Sequence, residues 1–409
     1  MSTLDQDLIL RLKQLREAGL LRELREVDSP QGPRITLKGR ELLNFSSNDY
    51  LGLANEPALK EAAQKAIQDF GTGSGASRLI CGSLKPHHDL DEALAAFKGT
   101  EAALSFSSGY ATALGTICAL LEKDDVIIID KLVHASVVDA AKLCGAKMRV
   151  FAHNDPEDLE RILKWANARH VGGASASVER SRVLIVTESV FSMDGDLAPL
   201  REIVQLKERY GAWLMLDEAH ATGLFGEKRR GLAEAFELAQ HIDIGMGTLG
   251  KALGSAGGYI CGSRPLIDFL VNRARSFIFS TAPAPAASAA ARAAIEWVQS
   301  EAGEFRRSLL WARVDDVKNG LTGGPFKVPV VRSAILPILI GEESQAVKIS
   351  AALQKRGVFI PAIRYPTVGR GEARLRLTVT AAHSIKDVEE LARTLNEIGK
   401  LSGGGESDE

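Results

Sequence analysis

IDIGMGTLGKALGSAGG, residues 242–258, places a single lysine, Lys251, in a segment that is rich in glycine and poor in bulky side chains. Glycine lets a backbone come close to a ligand because it has no Cβ atom. A lysine in a tight, desolvated place can lose its proton and form a Schiff base. The segment therefore predicts a buried site built around Lys251.

An upstream segment supplies acidic and imidazole side chains. The apolar run Trp213–Leu216 reads as a buried strand, and it ends in Asp217, Glu218, Ala219 and His220. Pyridoxal 5'-phosphate (PLP) needs a lysine for covalent attachment and an aspartate that keeps its pyridine nitrogen protonated. Together, the two segments indicate a PLP site.

The composition indicates a large globular protein. The chain has 409 residues, 45% of them hydrophobic, which is enough for more than one domain. Fifty Lys and Arg against 52 Asp and Glu give a net charge of -2, so no global field favours nucleic acid or an anionic membrane. Four cysteines lack CxxC or zinc-type spacing: Cys81, Cys118, Cys144 and Cys261. They predict unpaired thiols in a reducing compartment and no metal site.

The two ends of the chain carry different signals. Leucines recur at helical spacing among the charged residues of segment 1–27: Leu4, Leu8, Leu12 and Leu15. This pattern predicts an amphipathic helix and not a signal peptide. No apolar run approaches the roughly 18 residues of a membrane-spanning helix, so we expect a cytoplasmic protein. Residues 402–409, SGGGESDE, are expected to be disordered.

The order of the predicted elements indicates an α/β fold. From Val126 to Gly262, short apolar strands alternate with helices, which predicts a mostly parallel central sheet with helices on both faces. A smaller C-terminal α+β domain follows, with one strand predicted over residues 358–362. The expected division is an N-terminal helix and strand segment, the large α/β domain and the smaller domain: residues 1–55, 56–302 and 303–401.

Polar side chains follow several predicted strands at their carboxyl ends, which is where open α/β sheets bind ligands. They are Asp130 and His134, Glu188 to Ser192, Asp217 and His220, and Thr248 and Lys251. The sequence therefore predicts that one edge of the sheet is the functional site.

Three loops have a structural and a functional interpretation. Ser107–Thr112 leads into a predicted helix, so its serines form either an ordinary cap or a phosphate site at the helix amino terminus. Asn48 either caps a buried connection or points its carboxamide at a ligand. The glycine cluster Gly71–Arg78 lacks the context of a Rossmann or P-loop motif, and we expect it to line a substrate site.

Seven motifs, in order, resemble those of the α-oxoamine synthases. They are SSNDYLG (46–52), SSGY (107–110), HAS (134–136), ESVFSMDGD (188–196), DEAHATG (217–223), TLGKALG (248–254) and RLRLTVTAAH (374–383). The resemblance covers nearly the whole chain. It implies the PLP-dependent transferase fold type I, and an enzyme that joins an amino acid to an acyl thioester with loss of CO₂.

The resemblance also implies a role for each of these residues. Lys251 is implied as the covalent attachment point of PLP and as the base that takes the Cα proton. Asp217 is implied as the partner of the pyridine nitrogen, His134 as the imidazole stacked on the ring, and His220 as the imidazole at the phenolic oxygen. Ser192 is implied as a further hydrogen-bond donor to the cofactor. A phosphate cradle is implied for Gly109, Tyr110, Thr248, Ser280 and Thr281. The last two come from the neighbouring subunit in this family, so a homodimer is implied.

The substrates are implied by finer similarities. Asn48 and Arg376 resemble the residues that hold the amino-acid carboxylate, and Ser77 leaves room for an amino acid larger than glycine. Residues 362–368 and 373–383 most resemble the branch that serves biotin synthesis, which implies L-alanine and a pimeloyl thioester of CoA or acyl carrier protein. Residues 78–82 are nearer the branch that uses glycine and acetyl-CoA. The alternative is therefore a glycine C-acetyltransferase or another α-oxoamine synthase.

Two other classes of protein fit the sequence less well. A catalytically inactive partner subunit of the same family would lack the reactive lysine, and the joint presence of Lys251, Asp217 and His220 argues against it. A nucleotide-binding α/β protein would need a GxGxxG or P-loop motif between a strand and a helix, and the sequence has neither in that context.

Overall fold

The computed structural model describes residues 1–171, 181–328 and 333–403. The predicted disordered tail, residues 402–409, lies outside the described residues from residue 404 onward. A short 3₁₀ helix spans Ala239–His241.

The helices are α1 (Thr3–Glu17), α2 (Pro57–Phe70), α3 (Lys85–Lys98), α4 (Gly109–Leu120), α5 (Ala135–Leu143), α6 (Pro156–Val171), α7 (Leu200–Tyr210), α8 (Leu232–Ala235), α9 (Arg264–Arg273), α10 (Arg275–Ile278), α11 (Pro285–Gln299), α12 (Glu301–Leu321), α13 (Glu343–Lys355) and α14 (Ile385–Gly403). The strands are β1 (Arg34–Leu37), β2 (Arg40–Asn44), β3 (Ala102–Phe106), β4 (Val126–Asp130), β5 (Lys147–Phe151), β6 (Val183–Glu188), β7 (Trp213–Asp217), β8 (Ile244–Thr248), β9 (Gly258–Gly262), β10 (Ile335–Gly341), β11 (Val358–Phe359), β12 (Ala362–Ile363) and β13 (Ala373–Thr378).

The described residues form two compact units. The larger unit comprises residues 48–171, 181–310 and 333, and the smaller unit comprises residues 1–47, 311–328 and 334–403. The amino-terminal strands therefore belong to the same unit as the carboxyl-terminal strands, whereas the sequence pattern treats residues 1–55 as a separate segment.

A seven-stranded sheet forms the centre of the larger unit. Its strand order is β3-β9-β8-β7-β6-β4-β5. The five strands β4 to β8 run parallel to one another, while β9 is antiparallel to both β3 and β8. The prediction of a mostly parallel sheet is confirmed.

Alternate residues of the central strands face two separate cores. In β4, Ile127 and Ile129 pack into one core with residues of α4, α5 and α9. Val126 and Ile128 pack into the other core with residues of α6 and α7. Because successive side chains of a strand point to opposite faces, helices cover both sides of the sheet. This double burial explains why the strand sequences are nearly continuous apolar runs.

The smaller unit contains two three-stranded sheets, in the orders β1-β2-β11 and β10-β13-β12. The single strand predicted over residues 358–362 is wrong, because Val358–Phe359 pairs with β2 whereas Ala362–Ile363 pairs with β13. Pro361 lies between the two short strands. Proline has no N–H to give to a strand ladder, which favours a break in pairing at this point.

The predicted amino-terminal helix is present as α1. Ser2 caps it by accepting a hydrogen bond from the Asp5 N–H at 3.1 Å, and the Asp5 carboxylate accepts one from the Ser2 N–H at 3.2 Å. None of its side chains is buried against the described part of the chain. In the described ranges, no helix combines the length and the apolar character needed to cross a bilayer.

Candidate active site

A cavity of about 200 Å³ lies in the larger unit, at the carboxyl ends of β6, β7 and β8. It is lined by Gly109, Tyr110, His134, Ser136, Glu188, Asp217, Ala219, His220, Met246, Thr248 and Lys251. The cavity thus brings together residues that follow separate strands, at the edge of the sheet that the sequence predicts to be functional.

The loop that carries Lys251 connects β8 to β9 and is folded on itself. The Gly254 N–H donates to the Lys251 carbonyl oxygen at 2.9 Å, and the Leu249 N–H donates to the Gly257 carbonyl oxygen at 2.9 Å. Gly254 has φ +59°, and a Cβ atom there would lie 2.5 Å from the Leu53 backbone. The glycine is therefore required by close packing against the chain itself, in addition to any approach to a ligand.

Asp217 ends β7 and is only 6% exposed. Its Oδ1 accepts a hydrogen bond from the Ala219 N–H at 2.8 Å. Burial raises the pKa of Asp217, and the charge of Lys251 opposes that shift. A buried acid of this kind is suited to bind a cationic ring nitrogen.

The next residue, Glu218, is not part of the cavity lining. Its Oε2 lies 2.5 Å from Nζ of Lys98, on α3, and its Oε1 accepts a hydrogen bond from the Ala233 N–H at 2.9 Å. Both side chains of this ion pair are buried. Asp217 therefore lines the cavity, whereas Glu218 forms a buried ion pair that joins the end of β7 to α3.

His134 caps the amino end of α5. Its Nδ1 accepts a hydrogen bond from the Ser136 backbone N–H at 3.2 Å and lies 2.8 Å from Ser136 Oγ. An accepting nitrogen carries no proton, so the proton of the neutral ring lies on Nε2. Burial lowers the pKa of His134, which favours this neutral ring.

His220 is joined to Asn48 through a tyrosine to which the sequence assigns no role. The Tyr50 Oη lies 2.5 Å from His220 Nδ1 and 3.3 Å from Asn48 Oδ1. Tyr50 is buried, so its hydroxyl needs such polar partners. The only signal for Tyr50 in the sequence is its place in SSNDYLG, two residues after Asn48.

Thr248 and the start of α4 also line the cavity. Thr248 Oγ1 is buried and has no hydrogen-bond partner among the described residues. A Cβ atom at Gly109 would lie 2.6 Å from Thr248 Cγ2, so only glycine fits there. Ser108 caps α4 by accepting a hydrogen bond from the Ala111 N–H at 3.1 Å, as the structural interpretation expects. An unpaired hydroxyl beside the amino end of a 12-residue helix also fits a phosphate group.

The loop after β6 carries Ser192, which is buried beside Glu188. The Ser192 N–H donates to Glu188 Oε2 at 3.2 Å. Glu188 lines the cavity, although the sequence analysis assigns it no individual role. The signal that could have identified it is an acidic residue at the carboxyl end of an otherwise apolar strand.

A histidine between two carboxylates fixes the same loop from outside the cavity. His153 Nδ1 lies 2.9 Å from Asp130 Oδ1, and His153 Nε2 lies 2.8 Å from Asp196 Oδ2. Burial disfavours the cation, but hydrogen bonds to Asp130 and Asp196 outweigh it and raise the pKa of His153 to about 10. We call these three residues the His153 clamp.

Ser280 and Thr281 are not part of the cavity lining of their own chain. They line a separate, much smaller cavity together with Arg78. The segment is held against the glycine-rich loop, because the Ala282 N–H donates to the Ala76 carbonyl oxygen at 3.0 Å. Their predicted role in a phosphate cradle stays a prediction.

Neither Ser77 nor Arg376 is among the residues that line the cavity. The Ser77 carbonyl oxygen accepts hydrogen bonds within its loop from the N–H groups of Ile80, at 3.1 Å, and Gly82, at 3.0 Å. Arg376 is a buried residue of β13, in the smaller unit, and its Nη1 donates to Thr378 Oγ1 at 2.9 Å. The roles predicted for both in substrate binding stay predictions.

The mostly parallel sheet and the cavity around Lys251 define the class of PLP-dependent enzymes of fold type I. The comparison of the sequence with known families agrees with this class. The chain belongs to the family described as aminotransferase class I and II, whose sequence model matches residues 40–395.

The relatives narrow this class. The 8-amino-7-oxononanoate synthase of Geobacter sulfurreducens is 48% identical over 392 residues, which cover 96% of this chain and 97% of the relative. Serine palmitoyltransferase from S. paucimobilis with a bound PLP–myriocin aldimine has a TM-score of 0.89 at 28% identity, covering 98% of this chain and 100% of that chain. The structure of 8-amino-7-oxononanoate synthase from Francisella tularensis has a TM-score of 0.73 at 25% identity, covering 88% of this chain and 98% of that one. The predicted fold class is confirmed.

Proposed function

We propose that this chain is a PLP-dependent acyltransferase that condenses L-alanine with a pimeloyl thioester of CoA or acyl carrier protein. The products are 8-amino-7-oxononanoate, CO₂ and the free thiol, and the reaction belongs to biotin biosynthesis. The observation that carries the proposal is the cavity shared by Lys251, Asp217 and His134, in a chain 48% identical to a synthase of that name over nearly its full length.

PLP fits the residues that line the cavity. The Thr248 hydroxyl, which no described residue engages, and the amino end of α4 suit its phosphate, while buried Asp217 suits its ring nitrogen. Lys251 supplies the amine for covalent attachment, and the neutral ring of His134 supplies a flat face for stacking. When bound, PLP supplies an electron sink for the carbanion at the substrate Cα.

The chain's own residues orient the amino acid and move its proton. Lys251 Nζ is proposed to take the proton from Cα of alanine, as a general base. Asn48 and Arg376 are proposed to bind the substrate carboxylate, a task for which a guanidinium offers two parallel hydrogen bonds. Ser77 is proposed to leave room for the methyl group of alanine.

Two further residues are proposed to bind the phenolic oxygen of PLP. His220 lines the cavity, and its Nδ1 lies 2.5 Å from the buried Tyr50 hydroxyl, which fixes the imidazole proposed as the first of the two. Ser192 is proposed as the second donor, and its backbone is fixed by Glu188. These contacts would orient the ring and stabilise charge on its oxygen.

We propose that the protein acts as a cytoplasmic homodimer. Ser280 and Thr281, which are outside the lysine cavity of their own chain, would complete the phosphate cradle of the neighbouring subunit. All four cysteines are free, which suits the reducing conditions of the cytoplasm.

A matrix of substrates tests the proposed reaction. Alanine, glycine and serine are each combined with pimeloyl-, acetyl-, succinyl- and palmitoyl-CoA, and thiol release is measured with the PLP-loaded protein. We expect the highest kcat/KM for alanine with pimeloyl-CoA. One methyl group is worth only about 1–3 kcal/mol, so glycine should give a measurable side reaction. The Lys251→Ala variant serves as the control and should release no thiol with any pair.

The same measurements test the choice of substrates and the role of Lys251 independently. If glycine with acetyl-CoA has the higher kcat/KM, the chain is a glycine C-acetyltransferase and the alanine proposal is wrong. Thiol release by Lys251→Ala at the wild-type rate would contradict the role of the lysine itself.

A further inference from the structure

Glu188 is a second buried carboxyl group in the cavity, beside Asp217. It ends β6, and it is the register partner of Asp217 in the parallel pair of β6 and β7. Register partners on neighbouring strands point their side chains to the same face of a sheet, and both side chains line the cavity. Two negative charges side by side in a dry site repel each other strongly, so one of the two acids favours its neutral form.

The two oxygens of Glu188 have different surroundings. Oε2 accepts a hydrogen bond from the Ser192 N–H at 3.2 Å, and the carboxyl group also accepts one from the His134 backbone. Oε1 is buried and has no hydrogen-bond partner among the described residues. A buried carboxylate oxygen without a donor costs free energy, whereas a protonated oxygen becomes a donor itself. Asp217 offers the acceptor on the neighbouring strand.

We propose that Glu188 carries a proton on Oε1 at neutral pH and is the neutral partner of the anionic Asp217. Its Oε1–H faces the Asp217 carboxylate, while Oε2 holds the backbone of Ser192. Glu188 is therefore a positioning residue, because it acts on the cofactor through Asp217 and through the loops that carry His134 and Ser192. This inference deepens the proposed cofactor site and rests on it.

The groups that face Glu188 from the neighbouring elements favour this distribution of charge. Burial raises the pKa of Glu188, the charge of Asp217 raises it further, and Lys251 opposes the shift. The ring of His134 is neutral and adds no charge, and His220 is engaged by Tyr50. Lys251 lowers the pKa of both acids and so does not distinguish them. Two observations do: the buried Oε1 of Glu188 has no hydrogen-bond partner among the described residues, and the charge of Asp217 raises the pKa of Glu188. The pair therefore holds one proton, and that proton lies on Glu188.

Infrared difference spectroscopy tests the proposal, because a carboxylic acid and a carboxylate have separate C=O bands. We expect a carboxylic acid band at pH 7 in the wild-type protein with PLP bound, absent from Glu188→Gln. The wild-type band should disappear as the pH is raised to about 10. In Asp217→Asn it should disappear at a lower pH, because the charge that holds the proton on Glu188 is gone.

The wild-type titration can overturn the proposal without any substituted chain, and the band is assigned to Glu188 through Glu188→Gln or, if that chain fails to fold, through Glu188→Ala. A spectrum without a carboxylic acid band at pH 7, or a band that Glu188→Gln retains, overturns the proposal. The measurement is repeated without PLP. A Glu188 band in a protein that never develops the visible absorbance of bound PLP would support the shared proton and overturn the proposed cofactor site, so the two failures are distinguishable.

PLP binding tests the positioning role separately. Glutamine keeps an acceptor for the backbone N–H groups of Ser192 and His134, whereas alanine removes it. We expect Glu188→Ala to bind PLP about tenfold more weakly than Glu188→Gln, because one to two hydrogen bonds are lost. Equal PLP dissociation constants for the two variants would overturn this part of the proposal.

Discussion

At the scale of the residue, surroundings decide what each acid of the site does. Asp217 and Glu218 are neighbours in the sequence, yet Asp217 lines the cavity of Lys251 while Glu218 pairs with Lys98. Alternation along the chain sends their side chains to different surroundings. Substitutions at the two positions should therefore affect different properties, catalysis at the first and stability at the second.

Asp217→Asn should reduce kcat/KM about 100-fold or more, as removal of one electrostatic group from an active site commonly does. PLP occupancy, measured by its visible absorbance, should fall far less, because the lost interaction matters most in the transition state. Asp124→Asn is the matched control, since the Asp124 side chain is 90% exposed. Unchanged activity at saturating PLP would show that Asp217 is structural only.

Lys98→Ala should lower the free energy of unfolding by about 3–5 kcal/mol, because it leaves the buried carboxylate of Glu218 without its partner. Lys65→Ala is the control, since Lys65 forms an exposed pair with Asp69 on one helix face and should cost about 0.5 kcal/mol or less. Denaturant unfolding monitored by circular dichroism measures both. Equal effects would mean that burial does not strengthen the Lys98 pair.

At the scale of the element, the sheet places the functional residues and the loops refine their positions. The His153 clamp joins the end of β4, through Asp130, to the loop after β6, through Asp196. His153 itself lies just after β5, and its ring meets the Phe191 ring edge-to-face at 4.4 Å. The clamp therefore fixes the loop that carries Ser192 without touching the cavity.

His153→Gln should destabilise the protein at pH 6 by about 2 kcal/mol, the scale of hydrogen bonds to a charged group. The pKa of His153 is raised from 6.5 to about 10 in the folded protein, above its unfolded value. The contribution of the clamp is therefore complete below about pH 6.5 and is lost as the pH rises through 10.

The difference in melting temperature between wild type and His153→Gln should accordingly shrink from pH 6 to pH 10. His88→Gln, at an exposed histidine, is the control for the loss of an imidazole outside the clamp. A constant difference across this range would contradict a charged His153.

The elements also show how far sequence patterns reach. The apolar runs at Val126–Ile129 and Trp213–Leu216 predict β4 and β7, because a strand buried on both faces has few alternatives. Residues 358–362 look like one strand for the same reason, yet they belong to two sheets. Which sheet a short strand joins depends on partners far away in the chain, and local periodicity carries no information about them.

At the scale of the whole molecule, local sequence patterns also fail to show some of the distant residues that meet in the site. The sequence predicts that Lys251, Asp217, His134 and His220 meet, because the carboxyl ends of parallel strands share one edge. It does not predict the bond between Tyr50 and His220, which joins residues 170 positions apart. It also cannot place Ser280 and Thr281, because the proposed contribution to a second chain would leave no periodic signal.

Mixed dimers test whether Ser280 and Thr281 act on the neighbouring subunit. Lys251→Ala dimers and Ser280→Ala/Thr281→Ala dimers should each be nearly inactive. If the serine and threonine serve the partner, a hybrid dimer has one site with every group intact and one with both defects. Random co-assembly makes half of the dimers hybrid, so co-expression should restore about one quarter of wild-type activity.

The alternative, in which both residues act within their own chain, predicts a different restored activity. If Ser280 and Thr281 serve their own chain, each hybrid site carries one defect and no activity returns. The control is a mixture of the two separately purified variants, assayed before their subunits exchange, which should stay inactive in either case.

The tight packing of the Lys251 loop has a consequence for hydrogen exchange. The amides of Leu249 and Ser255 are already bonded, to the carbonyl oxygens of Gly257 and Leu249, at 2.9 Å each. Local opening of this loop requires breaking both bonds and separating Gly254 from the Leu53 backbone. These two amides should therefore exchange with deuterium slowly in the cofactor-free protein, and added PLP should slow them by little. Slow exchange of both amides before PLP is added would show that the loop of Lys251 is ordered in advance, so that binding does not have to offset the entropy of folding that loop.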